Sequence, residues 1–397
     1  MVSTKQAARL VWLLSVSLLL TAYATVARAQ DDSSSPQGGT PDWMGTPITD
    51  PVKQLFAPTS GALFAGMSSG ALERSDDGGS TWRSIDLGPA TAIATVDPTD
   101  HTILFATGPA GVYRSADDAA SWNLVLRYSA DNGRVLRGLA ISPANHAVMY
   151  AGLVNSSSIA DSFWFQRSVD GGAMWQVLDH PQPLSLCGWG VPLLQAHPAD
   201  PLRVFRAAAC TAGRDFGEVL RQSTDQGATF TPWFSTIEDA MAVPDHYPAR
   251  LVGGSGAAPT RFYLTANRDG RLGGSDLVRS DDDGATWTSI LTYRGGGSTG
   301  FAGPDNDPSL PNITLGGLTY DPSNPDRVYV GLTGDGSGVV TTPDGGATWC
   351  SLGLEPIGPV RDLVLGIDGR NLYAATDTGV WRFQFDSAPP PDCIQDG

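Results

Sequence analysis

Beyond its N-terminal stretch this sequence has no apolar run long enough to cross a bilayer, which excludes a helical membrane span from the rest of the chain. Cations are scarce. Against 41 Asp and Glu stand only 25 Lys and Arg, a formal charge of −16, and a chain of that sign is ill suited to the phosphate backbone of nucleic acid. No Gly-rich phosphate loop opens a helix, and no Gly-x-Ser-x-Gly elbow sits in a strand-to-helix context, so two common routes to nucleotide and acyl chemistry are missing. The five histidines, His101, His146, His180, His197 and His246, fall in separate loops or turns without zinc-like pair spacing, and no metal site is expected from them.

Both ends read as segments outside a core. Residues 1–29 carry Lys5 and Arg9, an apolar run from Leu10 to Leu20, and Ala27-Arg28-Ala29 before Gln30, the layout of a signal peptide. That predicts a secreted protein, extracellular or periplasmic. Residues 30–50 are rich in Ser, Gly, Pro and Asp and read as a flexible linker, and 387–397, with Pro389-Pro390-Pro391, as a tail. Residues 51–386 remain for the folded region, acidic enough to favour a soluble monomer.

Inside residues 51–386 a single pattern recurs: Ser-x-Asp-x-Gly-x-Thr-Trp after a short β-branched or aromatic run. It stands complete at Ser75, Asp77, Gly79, Thr81, Trp82 and at Ser280, Asp282, Gly284, Thr286, Trp287. Four variants are centred on Asp117 and Trp122, Asp170 and Trp175, Asp225 and Phe230, and Asp344 and Trp349. Successive aromatics are 40, 53, 55, 57 and 62 residues apart, the period of a propeller blade with loops of growing length. Each copy reads as a hairpin turn in which Ser and Asp bind turn backbone, Gly takes a positive φ, and the aromatic starts the next strand. Upstream, paired apolar runs flank turns such as Asp97-Pro98, Ser142-Pro143, His197-Pro198 and Asp321-Pro322. Four antiparallel strands per unit and no substantial helix predict an all-β fold: a single β-propeller, six of whose blades carry the turn motif. A seventh unit without the motif runs from Val360 to Phe383, and residues near Trp43 to Ile48 are the candidates to complete its last strand and close the ring.

Four cysteines in an exported chain predict disulfides. Cys187 and Cys210 fall opposite one another across the first hairpin of blade four, which pairs them and leaves Cys350 with Cys393 to tie the tail to blade six.

At these six turns the chain resembles the Asp-box, or BNR-repeat, propeller superfamily, which includes sialidases, xyloglucan-cleaving endoglucanases, the sortilin-type receptor domain and a photosystem II assembly factor. The resemblance runs from about Pro51 to Phe385. It implies the fold without choosing an activity. The Phe/Tyr-Arg-Ile-Pro segment of sialidases is missing, since the early strand reads Val52-Lys53-Gln54-Leu55-Phe56. Tyr320-Asp321-Pro322-Ser323-Asn324-Pro325 is closer to the xyloglucan-cleaving enzymes, which place their catalytic Asp residues between two propellers, whereas this chain has room for one.

The resemblance also implies that ligands meet the face opposite the Asp-boxes. Loops there are long only in blades three to six, where Trp189, Arg214, Asp215, Glu218, Arg268, Asp269, Arg271 and Asp335 are the candidate ligand-binding residues. Trp164 is a further candidate for stacking on a sugar. Asp215, Glu218 and Asp269 are the candidate carboxylates for glycoside hydrolysis, which needs an acid and a base or nucleophile. Asp305, Asp307 and Asp335 offer oxygen ligands of a kind Ca²⁺ accepts, without the spacing of a calcium loop. With no complete catalytic set, the expected function is non-catalytic binding of a protein or glycan ligand. The alternative is a glycoside hydrolase or lyase.

Overall fold

The computed structural model describes residues 43–128, 134–155, 162–178, 182–183, 193–207, 220–232, 246–254, 258–268, 274–294, 313–334, 336–353 and 357–385. Seven separate antiparallel sheets account for them. Blades one to six span Val52–Ile85, Ala92–Arg127, Arg134–Val177, Leu194–Pro232, His246–Arg294 and Ile313–Ser351. Each runs through four strands in chain order, and blade three adds a short fifth, Gln182–Pro183, beside Ser162–Ser168. This is the predicted all-β propeller.

The seventh sheet departs from chain order. Val360–Leu365, Asn371–Thr376 and Gly379–Gln384 supply three strands, and Trp43–Gly45 supplies the fourth, with Trp43 opposite Phe383 and Gly45 opposite Trp381. The closing strand therefore lies within the stretch 30–50 that reads as linker. Its anchor is Trp43, buried against Phe383 with ring centroids 5.4 Å apart, while its indole N–H donates to Leu352 O of blade six at 2.8 Å. An aromatic with one polar tip suits that position, since the ring fills the core and the N–H finds an acceptor.

A second repeat underlies the core. The second strand of every blade places one aromatic between neighbouring sheets: Phe64, Phe105, Tyr150, Phe205, Tyr263, Tyr329 and Tyr373, none more than 4% exposed. The sheets are thus separated by a large, close-packed ring at each interval, where a truncation would leave a cavity.

Each Asp-box closes by the same bonds. The hydroxyl of Ser75, Ser115, Ser168, Ser223, Ser280 or Thr342 donates to the Asp Oδ1 and accepts the N–H four residues on, all at 2.7–2.9 Å. The Asp Oδ1 then accepts a second turn N–H, and its Oδ2 accepts the Thr or Ser hydroxyl in every box except that of blade three, where Met174 has none to give. Blade two holds Asp118 and Ala119 at φ 59° and 69°, the strained region that Gly78 and Gly79 occupy freely in blade one. The aromatic is not uniformly a core residue. Trp287 is buried, whereas Trp82, Trp122, Trp175, Phe230 and Trp349 are half-buried. Trp82, Trp175 and Trp287 donate back to their own turns, while Trp122 and Trp349 donate to Asp86 O and Ile290 O of the preceding blade.

These bonds favour the ionised Asp. Donation from the Thr81 hydroxyl leads the set that lowers the Asp77 carboxyl to about 2, and donation from Thr229 does the same for Asp225. A carboxyl depressed in the folded state contributes stability above its unfolded value, near 4, that is lost as pH falls through the folded value. The prediction is a stability plateau down to about pH 4 and a decline toward pH 2. In chemical denaturation across that range, Asp77→Asn with Asp225→Asn should lower the plateau and flatten the decline; an unchanged acid limb would contradict the assignment.

Candidate functional site

Antiparallel alternation gives the ring two unlike faces. The turn after the first strand and the Asp-box turn after the third lie at one end of each blade. Connections between blades, and the turns after the second strands, lie at the other, the loop face. Arg268 ends the strand Phe262–Arg268 at the loop-face end of blade five, opposite His246. Trp164, in Ser162–Ser168, lies opposite Leu153 and is half-buried, with the Arg134 guanidinium 4.5 Å from its ring centre. One ring face is thus already engaged by a cation–π contact. Trp189, Arg214, Asp215, Glu218, Asp269, Arg271, Asp305, Asp307 and Asp335 lie outside the described residues. So do Cys187, Cys210 and Cys393, while Cys350, at the start of Cys350–Ser351, is disulfide-bonded. The predicted pairings therefore stand as expectations.

Two histidines prove to be turn elements. His197 is buried beside Phe205 and Phe262, and its Nδ1 accepts the N–H groups of Ala199 and Asp200, both at 3.1 Å. Asp97 and Asp321 do the same work in the equivalent turns with Oδ1. Burial pushes the His197 imidazole below its usual range, which keeps Nδ1 free to accept. His146 meets Asp97 Oδ2 at 2.9 Å. Among the described residues no group of three or more His, Cys, Asp or Glu is placed to hold a metal ion.

The innermost strands carry a feature that the sequence pattern does not announce. In five of them one residue bulges out of the pairing with the second strand, at Lys53, Ala94, Arg137, Ala249 and Arg361, and in blade six two do, Gly316 and Gly317. A bulge frees a residue from the ladder and re-aims its side chain. Three of the bulged residues are cations, all exposed. They are visible in the sequence as the phrases Val52-Lys53-Gln54-Leu55, Leu136-Arg137-Gly138-Leu139 and Val360-Arg361-Asp362-Leu363, a charge set inside an apolar strand.

One step further along these strands, blades five and seven meet across the ring. Arg250 reaches Asp362 Oδ1 at 2.9 Å and donates to Gly316 O at 2.7 Å and Arg361 O at 3.0 Å. The buried Asp362 also accepts the N–H of Leu55 in blade one at 2.9 Å. Glycine is required where the strands pass so closely: a Cβ on Gly316 would lie 2.2 Å from Val360 O. One ion pair thereby joins blades five, six, seven and one. Beside it, at the loop face, blades one to three enclose a cavity of about 250 Å³ lined by Lys53, Gln54, Ser68, Thr107 and Arg137 among others. A second cavity of about 340 Å³ opens toward the Asp-box face between Leu55, Thr95, Ile141 and Leu194.

No protein-family profile matches the chain. A xyloglucanase from Paenibacillus is 28% identical over 252 residues, 58% of this chain and 23% of that protein. The chain thus spans about a quarter of the length of the curated relative it matches. Among solved structures, a GH74 xyloglucanase from Xanthomonas campestris superposes with a TM-score of 0.62 at 18% identity, over 88% of this chain and 54% of that one. YCF48 bound to D1 peptide superposes with a TM-score of 0.54 at 14% identity, over 89% of this chain and 99% of that one. At these identities the superpositions carry the propeller fold and no more.

Removing the Asp362 carboxylate strands both Arg250 and the Leu55 N–H. Because Arg250 is partly solvated, Asp362→Ala should cost about 2–3 kcal/mol rather than the full loss of a buried pair. Equilibrium unfolding measures it, and a change within about 0.5 kcal/mol of zero, as for an ordinary surface substitution, would show that the cross-ring pair is incidental.

Proposed function

We propose that this chain is the propeller of a secreted, polysaccharide-directed glycoside hydrolase that lays its substrate across the loop face. The observation that supports it is the 252-residue match to a xyloglucanase at 28% identity, on a chain whose described residues all fold as a propeller. A purely binding role rests on the lack of a complete catalytic set, and the relatives weigh against it. Asp215, Glu218 and Asp269 supply the acid and the base or nucleophile in this proposal, and Arg214, Arg268 and Arg271 grip substrate hydroxyls by charge-assisted bonds. The substrate class is a polysaccharide, with the xyloglucan of the relatives as the first candidate, and export follows from residues 1–29.

A non-catalytic reading draws on a different observation, the match of the ring to 99% of YCF48 in a structure where it is bound to D1 peptide. The two separate in one assay. Purified protein incubated with xyloglucan and with unbranched β-glucans should release reducing ends, and Asp215→Asn, Glu218→Gln or Asp269→Asn should cut the rate by about a hundredfold or more where the residue transfers the proton. Retention of glucan on the protein without any cleavage would replace hydrolysis by binding, and neither retention nor cleavage would overturn the polysaccharide reading itself.

A further inference from the structure

We infer that the cavity between blades one, two and three holds the carboxylate of an acidic sugar unit, so that the polysaccharide carries uronate-type residues; this rests on the polysaccharide reading and narrows its substrate. The inference begins from charge. The chain carries −16 overall and only two lysines, Lys5 and Lys53, and Lys53 stands in this cavity together with Arg137. Among the described residues lining it there is no carboxylate.

The other cations at the same level of the ring are committed. Arg250 is held by Asp362 and two carbonyls, and Arg361 is bonded by both Asp377 oxygens at 2.7 and 2.8 Å. Lys53 and Arg137 are the bulged residues of blades one and three, both exposed, and the side chain of neither makes a hydrogen bond or ion pair with a described residue. Two such cations share one concave site in an otherwise acidic protein, where the field favours an anionic guest. An anion in the cavity would accept charge-assisted bonds from such cations.

The neutral part of the lining selects the kind of anion. Gln54, Ser68 and Thr107 offer an amide and two hydroxyls, groups that match the several hydroxyls of a sugar ring, and the space of about 250 Å³ is that of a small guest. Gly66 brings backbone to the wall, and a Cβ there would lie 2.9 Å from Ile93. A uronate carries one carboxylate and several ring hydroxyls on the same unit, the two kinds of group that this lining offers partners for. A peptide carboxylate would leave those hydroxyl partners unmet.

Because the chain has only two lysines, acylation of the Lys53 amine followed by mass spectrometry reads this cavity at a single site. The probes are tri-galacturonate, the uncharged galactose trimer of the same length, and a short glutamate peptide, all in about 0.15 M salt to suppress long-range attraction. Tri-galacturonate is expected to slow Lys53 acylation, and the neutral trimer and the glutamate peptide are not. Arg137→Met should weaken the protecting affinity about tenfold, the worth of one hydrogen bond to a charged group. Arg137→Lys should keep most of it, and thermal unfolding of both variants shows that the ring is intact. Equal protection by the neutral trimer, equal or better protection by the glutamate peptide, or none from any probe would each overturn the inference. Protection by tri-galacturonate without cleavage of any polysaccharide would uphold this site while removing hydrolysis from the function above; cleavage of neutral glucans without protection would do the reverse.

Discussion

A ring of separate sheets holds only if each sheet is joined to the next, and at five of the seven joints, among the described residues, an arginine of one blade is bound to the Asp-box turn of the blade that follows. Arg74 binds Asp118 of blade two, Arg167 binds Gln226 O of blade four, Arg279 binds Gly345 O of blade six, and Arg382 crosses the closure to Gly78 O of blade one. Blade four has Gln222 in the equivalent place and reaches blade five through Arg203 and Asp283 instead. Arginine suits this joint because its planar fork serves its own turn and the neighbouring one together. Arg74 does so directly, holding Asp76 of its own box at 2.6 Å as well as Asp118. The same arginines lie opposite the buried aromatics, and the Arg74 guanidinium is 5.4 Å from the Phe64 ring centre.

That joint gives the Asp-boxes two roles. Within a blade they close a hairpin; between blades they are the surface on which the next sheet is registered. Trp43 and the Arg250–Asp362 pair complete the work from the opposite sides, one at the outer edge of blade seven and one in the middle of the ring. The loop face is thus carried on a scaffold tied at its rim and at its centre. A site built there has its first-strand residues set by the ring and not by the loops, which lowers the ordering cost of binding. Lys53 and Arg137 are held in this way.

Much of the fold was legible because an Asp-box is local chemistry. Ser75, Asp77, Gly79 and Thr81 bond to one another within seven residues, so the motif can be read wherever it stands, and its spacing counts the blades. Closure was legible in outline, since Trp43 and its neighbours are apolar residues in a polar stretch and the seventh unit lacks a strand. The cross-ring contact was not. Arg250 and Arg361 are 111 residues apart, and nothing in either strand announces a partner that only the curvature of the ring supplies. The bulged cations left a faint trace, a charge inside an apolar run, but a charge in that place reads as the solvent face of an ordinary strand. Long loops place the sequence candidates in blades three to six, most of them outside the described residues, whereas the cavity at blades one to three takes its lining from inner strands that only the folded ring brings together.

The joint between blades can be tested at Arg74 and Asp118 by a double-mutant cycle with Arg74→Met and Asp118→Asn, following equilibrium unfolding at neutral pH. If arginine on the neighbour's Asp-box is what registers the sheets, the two substitutions should be coupled by about 1 kcal/mol or more, with the double variant less destabilised than the sum of the singles. Additivity within about 0.3 kcal/mol would mean that the blades are held by their apolar faces alone and that the arginines are passengers.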